Sequence, residues 1–161
     1  MTELPGGRTD LLLEPSGSQD QEPLADFLRD ADLTLAGLDA PSVRLWVGRD
    51  AAGQIATSGG FELSADGAHA LIRSAAVRHD RRGRGEGVAV AGFVVAQARL
   101  AGAREAWLFS RRSGPFWQRL GFRRTTTDAL AAALPDAHQV RLFRATGQLG
   151  REAAWRRTLK G

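Results

Sequence analysis

The apolar residues of this chain change period around one short basic segment. Val43-Arg44-Leu45-Trp46-Val47 alternates, which predicts a strand with one buried face. Residues 54–63 predict a second strand, whose paired Gly59-Gly60 suggests a bulge, and residues 69–77 predict a third. Asp50-Ala51-Ala52-Gly53 and Ala65-Asp66-Gly67 are the turns between them, so the three form a meander. Residues 88–100 are instead a long run rich in Ala and Val and free of Pro, which suits a buried helix ended by Gly102. Residues 105–110 read as a strand. Residues 113–122 read as a short helix, with Pro115 in its first turn and Gly121 as its stop.

The two ends are less regular. Residues 1–9 are expected to form a flexible N-terminus, broken by Pro5-Gly6-Gly7, and residues 10–15 a first strand closed by Pro15. Leu24, Phe27, Leu28, Leu33 and Leu35 suggest one or two helical segments over residues 22–38, broken by Asp39-Ala40-Pro41. After the short helix, residues 123–127 are read as strand, 128–134 as a helical turn and 139–144 as a last strand. One domain over residues 10–144 follows, with residues 145–161 as a basic tail, helical or mobile. An exposed Trp155 in that tail would mark a dimer contact or a partner.

Composition narrows the function classes. The 161 residues suit one domain, and 43% hydrophobic with 25% charged residues is ordinary for a soluble globular chain. The absence of cysteine excludes disulfides, thiolate metal sites and a cysteine nucleophile. His69, His79 and His138 are far apart, so no metal site is expected. No apolar run is long enough for a membrane span and no signal pattern opens the chain, which predicts a cytoplasmic protein without a membrane partner. The net charge of +4 rests on arginine, because Lys160 is the only lysine. These arginines are scattered rather than striped, which argues against a nucleic-acid partner.

The segment Arg81-Arg82-Gly83-Arg84-Gly85-Glu86-Gly87 lies between a strand and a helix N-terminus. Free amides and the positive end of the helix dipole make such a place an anion site. Glycines let the backbone approach a ligand, and arginines add charge for phosphate oxygens. A Walker loop is excluded, since no Lys-Ser/Thr follows the glycines, and the third glycine comes too early for a dinucleotide fingerprint. A solvated Arg/Gly turn before a helix remains the alternative.

Arg82-x-x-Gly85-x-Gly87, followed by Phe116-x-x-x-Leu120-Gly121-Phe122 in this order of elements, resembles the GNAT superfamily of N-acetyltransferases. Gly60-Phe61-Glu62, the run from Ala70 through Arg73 to Val77, the Phe116-Trp117-x-x-Leu120-Gly121-Phe122 helix, and Pro135-x-Ala137 followed by a strand look like its arsenic-resistance, arsinothricin-type branch. The resemblance implies an α/β fold, with a central mixed sheet flanked by helices, and acetyl-CoA as cofactor. The pantetheine arm would pair with Ala75, Ala76 and Val77, and the pyrophosphate would sit on the amides of Arg82, Gly83, Arg84, Gly85, Glu86, Gly87 and Val88. A primary amine of a small amino-acid-like acceptor would attack the thioester directly.

The resemblance further implies Glu62 as the proton acceptor, with Ser74 as a second catalytic candidate. Alternation should turn either Arg73 or Ser74 into the cleft. Arg73, Ser110, Ser113 and Trp117 are the candidate acceptor-binding residues, with Arg73 a clamp for an acidic group. A homodimer is common among relatives. Three departures stand out. The chain has no tyrosine to protonate the departing thiolate, Glu86 replaces an apolar loop residue, and Arg111-Arg112 stands where small polar residues are usual. They favour, as the alternative, a catalytically degenerate GNAT-fold binding module, ahead of a basic nucleic-acid-binding domain.

Overall fold

The computed structural model describes residues 12–159. Its centre is a meander of β2 (Val43–Arg49), β3 (Ile55–Leu63) and β4 (His69–Val77), paired antiparallel. The short β1 (Glu14–Pro15) lies beyond β2, and β5 (Glu105–Phe109), β6 (Arg123–Thr125) and β7 (Ala154–Thr158) complete a sheet in the order β1-β2-β3-β4-β5-β7-β6. Only β4 and β5 run parallel. The result is the mixed sheet expected of the chain.

Helices cover both faces. The helix α1 (Gln21–Asp30) buries Leu24 and Leu28 on Leu45, Val47 and Ile55 of the meander. On the other face α2 (Glu86–Leu100) lays Val90 and Val94 against β3 and β4, joined by Trp117 of α3 (Gly114–Arg119). Each such buried side chain contributes roughly 1.5–3 kcal/mol. Gly59 is what lets α2 approach: a Cβ there would meet Val90 Cγ1 at 2.7 Å and Val94 Cγ2 at 2.9 Å.

Leu71 and Trp107 form a second cluster with α4 (Thr127–Ala133) and α5 (His138–Ala145). Thr126 caps α4 by accepting from the Ala129 amide at 3.0 Å.

Four sequence expectations are corrected. Residues 139–144 belong to α5 and not to a strand, because Val140 and Phe143 are one helical turn apart and bury one face. The final residues are not a helical or mobile tail: β7 is an internal strand between β5 and β6. Its arginines hide the alternation, since Arg156 pairs with Glu105 above the Trp107 ring and Arg157 donates to the Leu120 carbonyl. Trp155 is 6% exposed, and its indole N–H donates to the Ser110 carbonyl at 2.9 Å, so it is a core residue. Finally, the bulge at the paired glycines falls at Gly59, but its extra residue is on β4. Ser58 pairs with Ala76 and Gly60 with Arg73, leaving Ser74 and Ala75 opposite Gly59. The expected first strand is observed at Glu14–Pro15, while Asp10 and Leu11 lie outside the described residues, as do residues 1–9.

Candidate active site

The parallel ladder of β4 and β5 stops at Leu71 and Trp107. Beyond it β4 stays with β3, while Leu108 and Phe109 of β5 pair with β7. The two strands therefore part, and a cleft of about 890 Å³ opens where they separate. The bulge contributes to this. Ser74 has φ of 59°, a left-handed conformation uncommon outside glycine, and its carbonyl accepts from Ser58 Oγ at 2.7 Å. Past the bulge, Ala75, Ala76 and Val77 line the cleft with no strand on their β5 side.

The Gly-rich segment closes one end. Arg82, Gly83, Gly85, Gly87 and Val88 line the cleft. Gly83 and Gly85 have φ of 83° and 80°, the region where a Cβ is penalised. Arg82 Nε donates to the Val77 carbonyl at 3.2 Å, tying the turn to the strand end. No side chain caps α2, so its first-turn amides are left for another acceptor. Glu86 does not point into the cleft. It is buried, and its Oε2 accepts from Arg81 Nη2 at 2.8 Å and Nε at 3.2 Å. That pairing offsets the negative charge beside the uncapped start of α2. Arg84 is exposed and is not part of the lining.

The sequence-predicted catalytic pair is placed differently. Glu62 has a side chain only 3% exposed and lies outside the cleft lining. Ser42 Oγ donates to its Oε2 at 3.0 Å, the His138 amide to Oε1 at 2.9 Å, and His138 Nδ1 lies 2.7 Å from Oε2. The expectation that Glu62 faces the gap is thus corrected, because its side chain turns toward the start of α5. Ser74 is also buried, and its hydroxyl accepts from Arg73 Nε at 3.2 Å.

Alternation between Arg73 and Ser74 fails at the bulge, and neither lines the cleft. The Arg73 guanidinium is fully buried, with Nη1 at 3.9 Å from Glu62 and neither Nη group hydrogen-bonded among the described residues. Burial lowers its pKa from the ordinary value, while the Glu62 carboxylate acts to raise it.

The predicted acceptor residues Ser110, Ser113 and Trp117 do line the cleft. The Ser110 hydroxyl accepts from the Ser113 amide at 3.1 Å, and Trp117 packs edge-on to Phe116 and Phe122. Sequence reasoning missed the opposite wall. Thr34 accepts from Gln139 Nε2 at 2.8 Å, which joins the stretch after α1 to α5, and Phe143 adds an apolar surface. Asp32 pairs with Arg112 at 2.8 Å at the exposed rim. Glu152 lines the cleft beside Arg111 and Gln148. No local motif marks these residues. Only the insertion of β7 beside β5 brings Glu152 there.

No protein-family model matches the sequence, and no curated protein matches it. Solved structures do. N-acetylglutamate synthase from Neisseria gonorrhoeae, complexed with coenzyme A and N-acetyl-glutamate, superposes with a TM-score of 0.77 at 16% identity over 96% of this chain. The chain spans only 36% of that protein. A GNAT-family acetyltransferase from Staphylococcus aureus Mu50 gives 0.71 at 13% identity, over 93% of this chain and 99% of that one. The chain has the GNAT acyltransferase fold. A nourseothricin acetyltransferase shares it, with a TM-score of 0.59 and 18% identity, over 94% of this chain and all of that one. In this GNAT fold, the parted strands and the Gly-rich helix start form one continuous wall of the cleft.

Proposed function

We propose that the protein is an N-acetyltransferase that moves an acetyl group from acetyl-CoA to the primary amine of a small amino-acid-like acceptor. One observation carries this reading: an unpaired strand edge at Ala75, Ala76 and Val77 leads directly into the uncapped, glycine-lined start of α2. An extended amide-bearing arm fits the edge as an added strand, and phosphate oxygens fit the free amides with the positive helix end behind them.

Acetyl-CoA bound there supplies an acetyl thioester. The backbone of residues 75–77 orients it and offers an amide to the carbonyl oxygen as charge develops. The Phe116 and Trp117 rings on one wall, and the Phe143 ring on the other, give the gap its apolar surface. With no tyrosine in the chain, the lining hydroxyls of Ser110 and Ser113 would serve as donors for the departing sulfur. Glu62 and Ser74 act as positioning residues in this reading, the first through α5 and the second through the bulge.

The likeness of residues 60–62, 70–77 and 116–122 to the arsinothricin-type branch favours an acceptor that carries an acidic group as well as an amine. Arg111 and Arg112 in the lining supply cations for that group. Arg73 is fully buried and would contribute to the local field rather than by contact.

Calorimetric titration with acetyl-CoA tests the reading, with Gly85→Glu as the control. The substitution puts a bulky acid at a positive-φ position in the turn. We expect saturable binding by the wild type, none by a folded Gly85→Glu, and thiol release with amino acids or their phosphinate or arsenic analogues. A folded wild type without heat or thermal shift at millimolar cofactor would overturn the proposal.

A further inference from the structure

Two carboxylates line the cleft among the described residues, Asp32 and Glu152. Asp32 has an 81% exposed side chain and is paired with Arg112. Glu152 is different. Its side chain is 8% exposed. Pairing of Phe109 with Ala154, and donation from the Ser110 amide to the Ala153 carbonyl at 2.9 Å, carry the β5–β7 ladder toward it. Glu152 thus stands at the open end of β5, across the gap from Ala75, Ala76 and Val77.

The carboxylate is held by one oxygen. Gln148 Nε2 donates to Oε2 at 2.9 Å, and Arg111 Nε lies 3.5 Å from the same atom. Oε1 receives no hydrogen bond among the described residues. This oxygen is not sealed from solvent, so a donor in the cleft can reach it. Here the open oxygen belongs to a residue of the cleft wall, where an ammonium group would fill it.

Building on the acetyl-transfer reading, we infer that Glu152 is the catalytic base. Its carboxylate takes one proton from the acceptor ammonium, leaving a neutral amine with a free electron pair. That pair forms the C–N bond to the thioester carbonyl carbon, and the C–S bond then breaks with its electrons on sulfur. The second proton lost by nitrogen goes to the sulfur, giving the thiol and the amide. Glu152 returns the first proton to water at the cleft mouth. Arg111 lies beside the carboxylate and Gln148 fixes its direction through Oε2, which leaves Oε1 to take the proton. Glu62, the base expected from sequence, has Ser42 and His138 on its oxygens instead.

The test compares wild type, Glu152→Gln and Glu152→Asp in acetyl-CoA titration, thermal unfolding and steady-state kinetics across pH. Glu152→Gln keeps shape and hydrogen bonding to Gln148. It should bind acetyl-CoA as the wild type does, while kcat falls about 10²-fold or more. The acid limb of the wild-type pH profile should disappear in it, and Glu152→Asp should recover part of kcat. A Glu152→Gln enzyme within about threefold of wild-type kcat, with an unchanged pH profile, would overturn this assignment alone. So would a loss confined to KM. A wild type that binds no acetyl-CoA and turns over no amine would overturn the acetyl-transfer reading and this inference with it.

Discussion

Glu62 of β3 accepts the backbone amide of His138, 76 residues later in the chain, at 2.9 Å. The α5 helix begins after Ala137, which has no side chain able to cap it. A carboxylate from the sheet does the work of an N-cap and adds negative charge at the positive end of the helix. Because α5 carries Gln139 and Phe143 into the cleft wall, this contact couples the sheet to that wall.

Glu62→Ala should therefore be costly. It strips Arg73, Ser42 and the His138 amide of one shared partner, and an uncompensated buried charge costs about 3–5 kcal/mol. Urea unfolding should show that loss, and a surviving enzyme should show raised acceptor KM with cofactor affinity largely kept. Unchanged stability would refute the capping role.

The Arg81–Glu86 pair makes a second prediction. Arg81→Ala leaves the buried Glu86 carboxylate without its counter-ion beside the glycine-rich turn. Stability should fall by about 3–5 kcal/mol, and acetyl-CoA affinity should fall with it. Adding Glu86→Leu to that variant should restore both, since apolar replacement of a buried pair is often neutral or stabilising. A double-mutant cycle read by calorimetry and thermal unfolding decides this.

Gly59→Val addresses the packing of α2. The new side chain would collide with Val90 and Val94, at a cost typically about 1–3 kcal/mol or more for overpacking. Because the first-turn amides of α2 are the proposed phosphate contacts, a lower melting temperature should be accompanied by weaker acetyl-CoA binding. Equal binding and stability would mean that α2 has room to shift.

The pH dependence of stability has an acid limb of known sign. Burial acts to raise the Asp20 pKa, but the Gly17 amide and the Arg49 guanidinium hold it below the ordinary value of 3.8. Its contribution is thus complete above that value and is lost as pH falls through the lower folded-state pKa. Asp50, held low first by Arg78, and Asp80, also by Arg78, act in the same direction. Asp20→Asn should flatten part of the fall in stability below about pH 4, measured by chemical denaturation.

Local patterns made the centre of this protein legible from its sequence. Alternation predicted the meander, a Pro-free run of Ala and Val predicted α2, and the glycines between them predicted the turn that joins strand to helix. All of these depend on neighbours close along the chain, where backbone preferences and side-chain period act directly. Tertiary structure decided what depends on distant partners. β7 is a strand because Trp155 finds the core and its arginines find Glu105 and the Leu120 carbonyl. The bulge falls in β4 because it leaves two residues opposite one on β3. Glu62 and Glu152 look alike as isolated acids. The buried start of α5 engages one, and the β5–β7 ladder carries the other into the cleft, because burial and hydrogen-bond partners are properties of the packed chain.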